Sequence, residues 1–209
     1  MGGPGTEYER RYWEQRQLVA GIDEAGRGAL AGPVVAAAVV LQPDDYIDGV
    51  RDSKQLRPAQ REQLFAQITQ QVRAWAIGWA DVEEINRWNI LQATMVAMRR
   101  AIEQLTIQPD VLFVDGNYFV TDLQIPAVTI PQGDQRSLSI AAASILAKVW
   151  RDRWMIEIAD PQFPEYGFAR HKGYGTRQHR DAIQQFGVTP LHRKKFVQRI
   201  LEQCRESLF

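Results

Sequence analysis

Residues 18–41, LVAGIDEAGRGALAGPVVAAAVVL, decide the fold. The apolar run Leu18 to Ile22 has the length and composition of a buried strand. Two adjacent acids, Asp23 and Glu24, stand at or near its end, and Gly26, Arg27 and Gly28 make a tight polar turn after them. Gly32 and Pro33 then lead into a second strand, Val34 to Leu41. A core strand gains nothing by ending in carboxylates, because burying an ionised acid is costly unless it is paired or holds a metal. Taken alone, the stretch also suits an ordinary turn with solvated acids and a solvated arginine.

The same arrangement recurs downstream. Val111 to Val114 is a short apolar strand that runs into Asp115, Gly116 and Asn117. Ala127 to Ile130 is another, followed through Pro131-Gln132-Gly133 by Asp134. Strand ends in an α/β sheet gather at a rim where ligands bind. Four acids converging there do not all stay ionised without cations. All-oxygen donors suit Mg²⁺ or Mn²⁺, and such ions activate water and stabilise the leaving oxygen of a phosphodiester. No Cys/His spacing suggests zinc, there is no P-loop, and the GRG turn lacks the remaining glycines of a dinucleotide fingerprint.

Around these strands the pattern alternates. Residues 1–16 read as a loose lead-in, and a polar loop over 42–57 carries Asp52-Ser53-Lys54. The spacing of Leu64, Phe65, Ile68 and Val72 predicts a helix from Pro58 to about Arg73. Ala74 to Ala80 reads as a third strand, and Leu91, Met95, Met98 and Ile102 predict one helix over about 88–105. A long helix, about 138–159, opens with small residues, and two shorter ones follow over 177–186 and 190–207. The six tryptophans read as core or partly buried, and His171, His179 and His192 as loop or surface residues. Asp152 is expected to pair within its own helix. The whole is a mixed sheet with helices on both faces, an α/β fold.

With 209 residues, 45% apolar and 24% charged, the chain suits one soluble globular domain with at most a small appendage. No apolar run spans a bilayer, the opening MGGPGTEYERRYW is no signal peptide, and one cysteine, Cys204, excludes an intramolecular disulfide. A cytoplasmic location is expected. The net charge of zero hides a segregation: residues 166–209 hold nine Lys or Arg against three acids, and residues 1–165 hold sixteen against twenty-two. A basic region beside an acidic body suits an anionic polymer that must reach a carboxylate cluster. Helices with solvated basic faces have the same composition.

GIDEAGRGALAGPVVAAAVVL, the DSK at 52–54, VDGN at 114–117, GDQRSLSIAAASILAKVWRD at 133–152, YGFARHKGYGT at 166–176 and the later TPLHR resemble, in order and spacing, the ribonuclease HII family. The resemblance runs from about Leu18 to about Phe196. It implies a ribonuclease H-like mixed sheet flanked by helices over residues 17–165, with a basic helical extension over 166–209 packed on it, in a monomer. It further implies a metal-dependent endonuclease that hydrolyses the RNA strand of RNA–DNA hybrids. Such an enzyme also nicks 5′ of single ribonucleotides in duplex DNA, leaving 3′-hydroxyl and 5′-phosphate ends.

By the same resemblance Asp23, Glu24, Asp115 and Asp134 are catalytic and hold Mg²⁺ or Mn²⁺, two ions with substrate bound. Gly26, Arg27 and Gly28 contact the ribonucleotide's 2′-hydroxyl and a phosphate, and Tyr174 packs on the sugar beyond the junction. Lys54, Lys148 and Arg151 contact phosphates. Ala29 stands where the family usually has proline, and Gln55 where it usually has a second lysine. Asp134 is also placed to cap the following helix, and Tyr174 also suits a packed core. Two rival readings keep the residues: a DNA nuclease or resolvase using the same carboxylates, and a non-catalytic hybrid binder. Finally, Glu206-Ser207-Leu208-Phe209 resembles the end of the peptide by which bacterial replication proteins dock on a sliding clamp, though Arg205 stands where glutamine is expected.

Overall fold

The first sixteen residues are more than a lead-in, because Glu7–Trp13 form a helix, α1. Its Glu9 is fully buried, and Glu9 Oε1 accepts hydrogen bonds from Ser137 Oγ (2.6 Å), Ser139 Oγ (2.8 Å) and the Ser139 N–H (3.0 Å). Those groups open the longest helix among the described residues, where the helix dipole favours an anion. In this computed structural model the described residues are 3–43, 45, 47–50, 53–117, 119 and 122–206, with backbone alone at 199 and 203–206.

In chain order there follow β1 (Val19–Ala25), β2 (Val34–Val40), α2 (Pro58–Gln71), β3 (Ala74–Ala80), α3 (Val82–Trp88), α4 (Ile90–Glu103), β4 (Val111–Asp115) and β5 (Ala127–Ile130). The single helix expected over 88–105 is two. Asn89, at φ +76°, breaks the helical path, and its side chain accepts from the N–H groups of Leu91 and Gln92 to cap α4. The face α4 buries is made by Ala93, Ala97, Met98, Ala101 and Ile102, while Leu91 is exposed. Met98 and Ile102 of the expected stripe lie on that face and Met95 packs against it, while the small residues Ala93, Ala97 and Ala101 let α4 lie close on the sheet.

The sheet order is β3-β2-β1-β4-β5, with β1–β2 and β2–β3 antiparallel and β1–β4 and β4–β5 parallel. α4 covers one face through Ala20, Ile22, Val34 and Ala36. The other face takes α2 and α5 (Leu138–Trp154) against Val35, Ala37 and Val39. Gly21 is what allows α5 so near, since a Cβ there would stand 2.2 Å from the Ser139 carbonyl carbon. On β3, Trp75 and Trp79 are more exposed than a core position allows, and Trp79 stacks on Trp150 at 5.1 Å instead.

α5 runs on through a π-helical turn, Met155–Ala159, into α6 (Asp160–Gln162). α7 (Phe168–His171), α8 (Arg177–Phe186) and α9 (Lys194–Glu206) follow. They gather an apolar cluster of their own, with Tyr166, Phe168, Ile183 and Val197 packed on Ala31 and Met155. Thus the C-terminal helices reach back to the loop between β1 and β2. Among the described residues, no helix is long and apolar enough to cross a membrane.

Candidate active site

Asp23 and Glu24 lie inside β1 rather than after it, because the strand runs on to Ala25. β1 pairs in parallel with β4 up to Ile22 opposite Val114, so one step further Asp23 comes alongside Asp115. Asp115 Oδ1 accepts the Gly133 N–H at 2.7 Å, and that bond draws the turn carrying Asp134 to the same rim. Asp134 is buried in the short 3-10 turn Gly133–Gln135, while the cap of α5 is Ser137, whose Oγ accepts from the Ile140 N–H at 3.3 Å. Capping is therefore not what Asp134 does. Lys54 Nζ stands 3.5 Å from Asp134 Oδ2.

The rim strains against its own charge. Burial, and then repulsion from Glu24 and Asp115, hold the Asp23 carboxyl well above the usual carboxylate range, against bonds from Ser144 and the Glu24 N–H. Burial also raises Glu24, opposed by Arg27, whose Nη1 lies 3.2 Å from Glu24 Oε1. Carboxylates this unwilling to ionise together are what a divalent cation relieves. Among the described residues no three His, Cys, Asp or Glu side chains close on a point as they stand. The donors are all oxygens on an open rim, which fits an ion that keeps several waters and takes only one or two carboxylates beside phosphate oxygens.

Next to the rim is the turn. Gly26 has φ +92°, and a Cβ there would fall 2.0 Å from Arg151 Nε, so both its conformation and its packing require glycine. Gly28 differs: nothing of the protein lies within 4 Å of a Cβ built there, and both Arg27 and Gly28 are exposed. The fold does not demand glycine at 28, so the open space there is available to another molecule. Tyr174 is half-buried beneath two cations, with Lys148 Nζ at 5.3 Å and Arg151 Cζ at 5.2 Å from its ring centre.

Arg151 is not placed for a phosphate. It is fully buried, and its guanidinium donates to the carbonyls of Pro33 (2.9 Å), Ala31 (3.0 Å) and Lys172 (2.9 Å). Lys148 is bonded to Asp152 Oδ1 at 2.7 Å, the within-helix pair expected of Asp152, with Arg61 of α2 also at 3.9 Å. Asp52 of the DSK stretch and Ser207–Phe209 lie outside the described residues.

A residue the sequence reading did not single out, Arg193, is as buried as Arg151 and donates to the carbonyls of Arg27 (2.9 Å), Gly32 (2.8 Å) and Pro33 (3.0 Å). Burial, and then the Arg151 charge, push the Arg193 guanidinium down to about 9. Its presence in TPLHR was the only available signal. The three histidines are likewise not on the surface. His171, His179 and His192 are buried together, with His171 stacked on His179 at 4.4 Å. Their bonds fix their protons. The Thr189 N–H donates to His192 Nδ1, so His192 Nε2–H faces His179 Nε2, and His179 Nδ1–H donates to the Tyr174 carbonyl.

A mixed five-stranded sheet with helices on both faces and carboxylates along one rim is the architecture of the ribonuclease H-like enzymes. A ribonuclease H2 from Pyrococcus horikoshii superposes with TM-score 0.73 at 28% identity, over 90% of this chain and 99% of that one. A ribonuclease HII from Archaeoglobus fulgidus, solved in complex with PCNA, gives 0.74 at 25% identity, over 90% and 96%. In sequence, the ribonuclease HII of Coxiella burnetii is 56% identical over 179 residues, 86% of this chain and 88% of that protein. That of Albidiferax ferrireducens is 52% identical over 205 residues, 98% of each. The model of the family Ribonuclease HII matches residues 20–200. This chain belongs to the ribonuclease HII family and is an endoribonuclease of the ribonuclease H class.

Proposed function

We propose that the chain cuts the RNA strand of RNA–DNA hybrids and also nicks 5′ of single ribonucleotides in duplex DNA, using a divalent metal. The observation that carries this reading is adjacency: the acidic rim of Asp23, Glu24, Asp115 and Asp134 lies beside a turn whose exposed Gly28 the fold itself does not require. The 2′-hydroxyl is what separates RNA from DNA at one position, and a glycine turn lets backbone approach it closely. Arg27 offers a planar fork to the neighbouring phosphate, and the Tyr174 ring offers a flat surface to the sugar beyond. A second 2′-hydroxyl would crowd that ring, which favours a 5′-RNA to DNA-3′ junction.

The four carboxylates would hold the metal, with Asp115 fixed by the Gly133 N–H and Asp23 by Ser144 and the Glu24 N–H. Mg²⁺ or Mn²⁺ there supplies an activated water and charge stabilisation for the leaving oxygen. Lys54 sits at the Asp134 end of the rim and steadies anionic charge there. The exposed Lys194 and Lys195 add long-range attraction for the duplex. Docking on a sliding clamp through Ser207–Phe209 is supported by the motif resemblance and by the archaeal relative's complex with PCNA. Removing Ser207–Phe209 should reduce retention of the protein on its cognate clamp and leave cleavage unchanged. Equal retention with and without those residues would end that assignment.

The test is an end-labelled duplex with one embedded ribonucleotide, a continuous hybrid and an all-DNA duplex, each with and without Mg²⁺ or Mn²⁺. Cleavage of the first two alone, only with metal, is expected. Cutting of all-DNA would instead establish a DNA nuclease, and binding without turnover a hybrid-binding protein.

A further inference from the structure

Two fully buried guanidiniums, one from helix α5 and one from the residue just before α9, converge on the loop between β1 and β2. Together Arg151 and Arg193 make seven hydrogen bonds to main-chain carbonyls, of Arg27, Ala31, Gly32, Pro33 and Lys172. Both spend their donors on carbonyls rather than on a carboxylate. Apolar side chains of similar volume often hold packed elements at least as well as buried charges do. What a guanidinium adds is a planar fork of donors that sets direction as well as distance.

The bonds span two segments. Arg151 reaches Ala31 and Pro33 with two nitrogens and Lys172 with the third. Between the segments, the Leu30 and Ala31 N–H groups donate to the Gly173 carbonyl at 2.8 and 3.3 Å. Behind Tyr174 its own carbonyl is held by His179, which is bonded in turn to His192, the residue before Arg193. The turn 26–28 and the Tyr174 ring are thereby parts of one pinned unit.

We propose that Arg151 and Arg193 are positioning residues that set the spacing between the turn at Gly26–Gly28 and the ring of Tyr174, so that an RNA–DNA junction is read as a unit. This rests on the reading of those elements given under Proposed function. A lone ribonucleotide offers one junction, and both elements must meet it in one register. A continuous RNA strand offers a 2′-hydroxyl in every register and tolerates a loosened spacing.

The experiment compares the full-length wild type with Arg151→Lys and Arg193→Lys, which keep the charge and lose the fork. Each is assayed for kcat and KM on the single-ribonucleotide duplex and on the continuous hybrid. On the single ribonucleotide kcat should fall at least about tenfold and on the hybrid no more than about threefold, since small misplacements in a positioned site cost that much. KM should change little on either. In a Tyr174→Ala background the selective loss should shrink at least about threefold, because groups that act as a unit are not additive. Equal loss on both substrates, additivity with Tyr174→Ala, or failure of both lysine variants to fold by circular dichroism would overturn the proposal. If one variant folds, it decides. A wild type that cuts neither ribonucleotide-containing duplex would defeat the nuclease reading itself, and with it the spacing role, before any variant is needed.

Discussion

His192 Nε2 donates to His179 Nε2 across 3.1 Å, so a further proton on His179 breaks that bond, and one on His192 Nδ1 breaks the bond it accepts from the Thr189 N–H. Burial is the main reason both imidazoles are pushed down to about 4, with His171 adding to the effect. In the unfolded chain they titrate near 6.5. Between those values the unfolded state binds more protons, so stability present above about pH 6.5 is lost as pH falls towards 4. Asp23 works in the opposite sense, since its raised folded value favours the folded state as its carboxyl protonates. Thermal unfolding at pH 7.5 and at pH 5 should show a lower midpoint at pH 5, and a larger drop in Asp23→Asn. A midpoint unchanged across this range in both proteins would contradict the assignment.

Asp115→Asn is expected to abolish cleavage and leave the fold intact. The amide oxygen can still accept the Gly133 N–H, so the turn stays in place while the charge is gone. Turnover within about tenfold of wild type at saturating Mg²⁺, about 1.4 kcal/mol of barrier, would remove Asp115 from the site.

Asp23→Asn should also be inactive, yet more stable without metal. It removes a buried carboxyl that Glu24 and Asp115 repel while keeping an oxygen for the Glu24 N–H. A rise of about 2–4 °C in the metal-free unfolding midpoint corresponds to ~1 kcal/mol in a chain this size. Added Mg²⁺ should narrow the gap, because it stabilises the wild type more. A lower midpoint in the variant would show that the charge stabilises the fold.

Tyr174 meets Lys148 and Arg151 through its ring. Tyr174→Phe should keep most activity, and Tyr174→Ala should lose at least about tenfold, as aromatic packing on a nucleotide contributes on the order of 1–3 kcal/mol. Cleavage by both variants at fixed salt separates ring from hydroxyl. Equal damage by Phe and Ala would make the hydroxyl the working group.

Lys194 and Lys195 are exposed on α9. Replacing both with Ala should weaken binding to single-ribonucleotide and continuous substrates alike. For each lysine–phosphate pairing removed, the slope of log K against log salt should flatten by about one. Substrate-selective weakening measured by salt titration would instead place them at the junction.

Much of this was legible because it is local. β3 runs over Ala74–Ala80 as the alternation there predicts, and Asp115 ends its strand as expected. Asp23 and Glu24 were misplaced by only a residue or two, since acids look like a strand's end although β1 continues to Ala25. What failed depends on distant partners. Glu9 looks like part of a charged lead-in until Ser137 and Ser139 arrive from 128 and 130 residues away. Arg151 reads as a phosphate contact until the carbonyls of Ala31 and Pro33 are folded against it. The histidines look polar and exposed until their nitrogens find one another. Burial of a polar side chain is decided by its partners, and no local pattern announces them.

The bond from Arg193 to the Arg27 carbonyl spans 166 residues, which delays it during synthesis. At about 5–20 residues per second, the turn leaves the ribosome on the order of 10–30 s before its arginine does. Asp115 and Asp134 are translated earlier, so all four acids are synthesised before the arginine that pins the turn beside them. A nascent chain therefore carries its carboxylates for some seconds before the arginine that bonds the turn next to them exists.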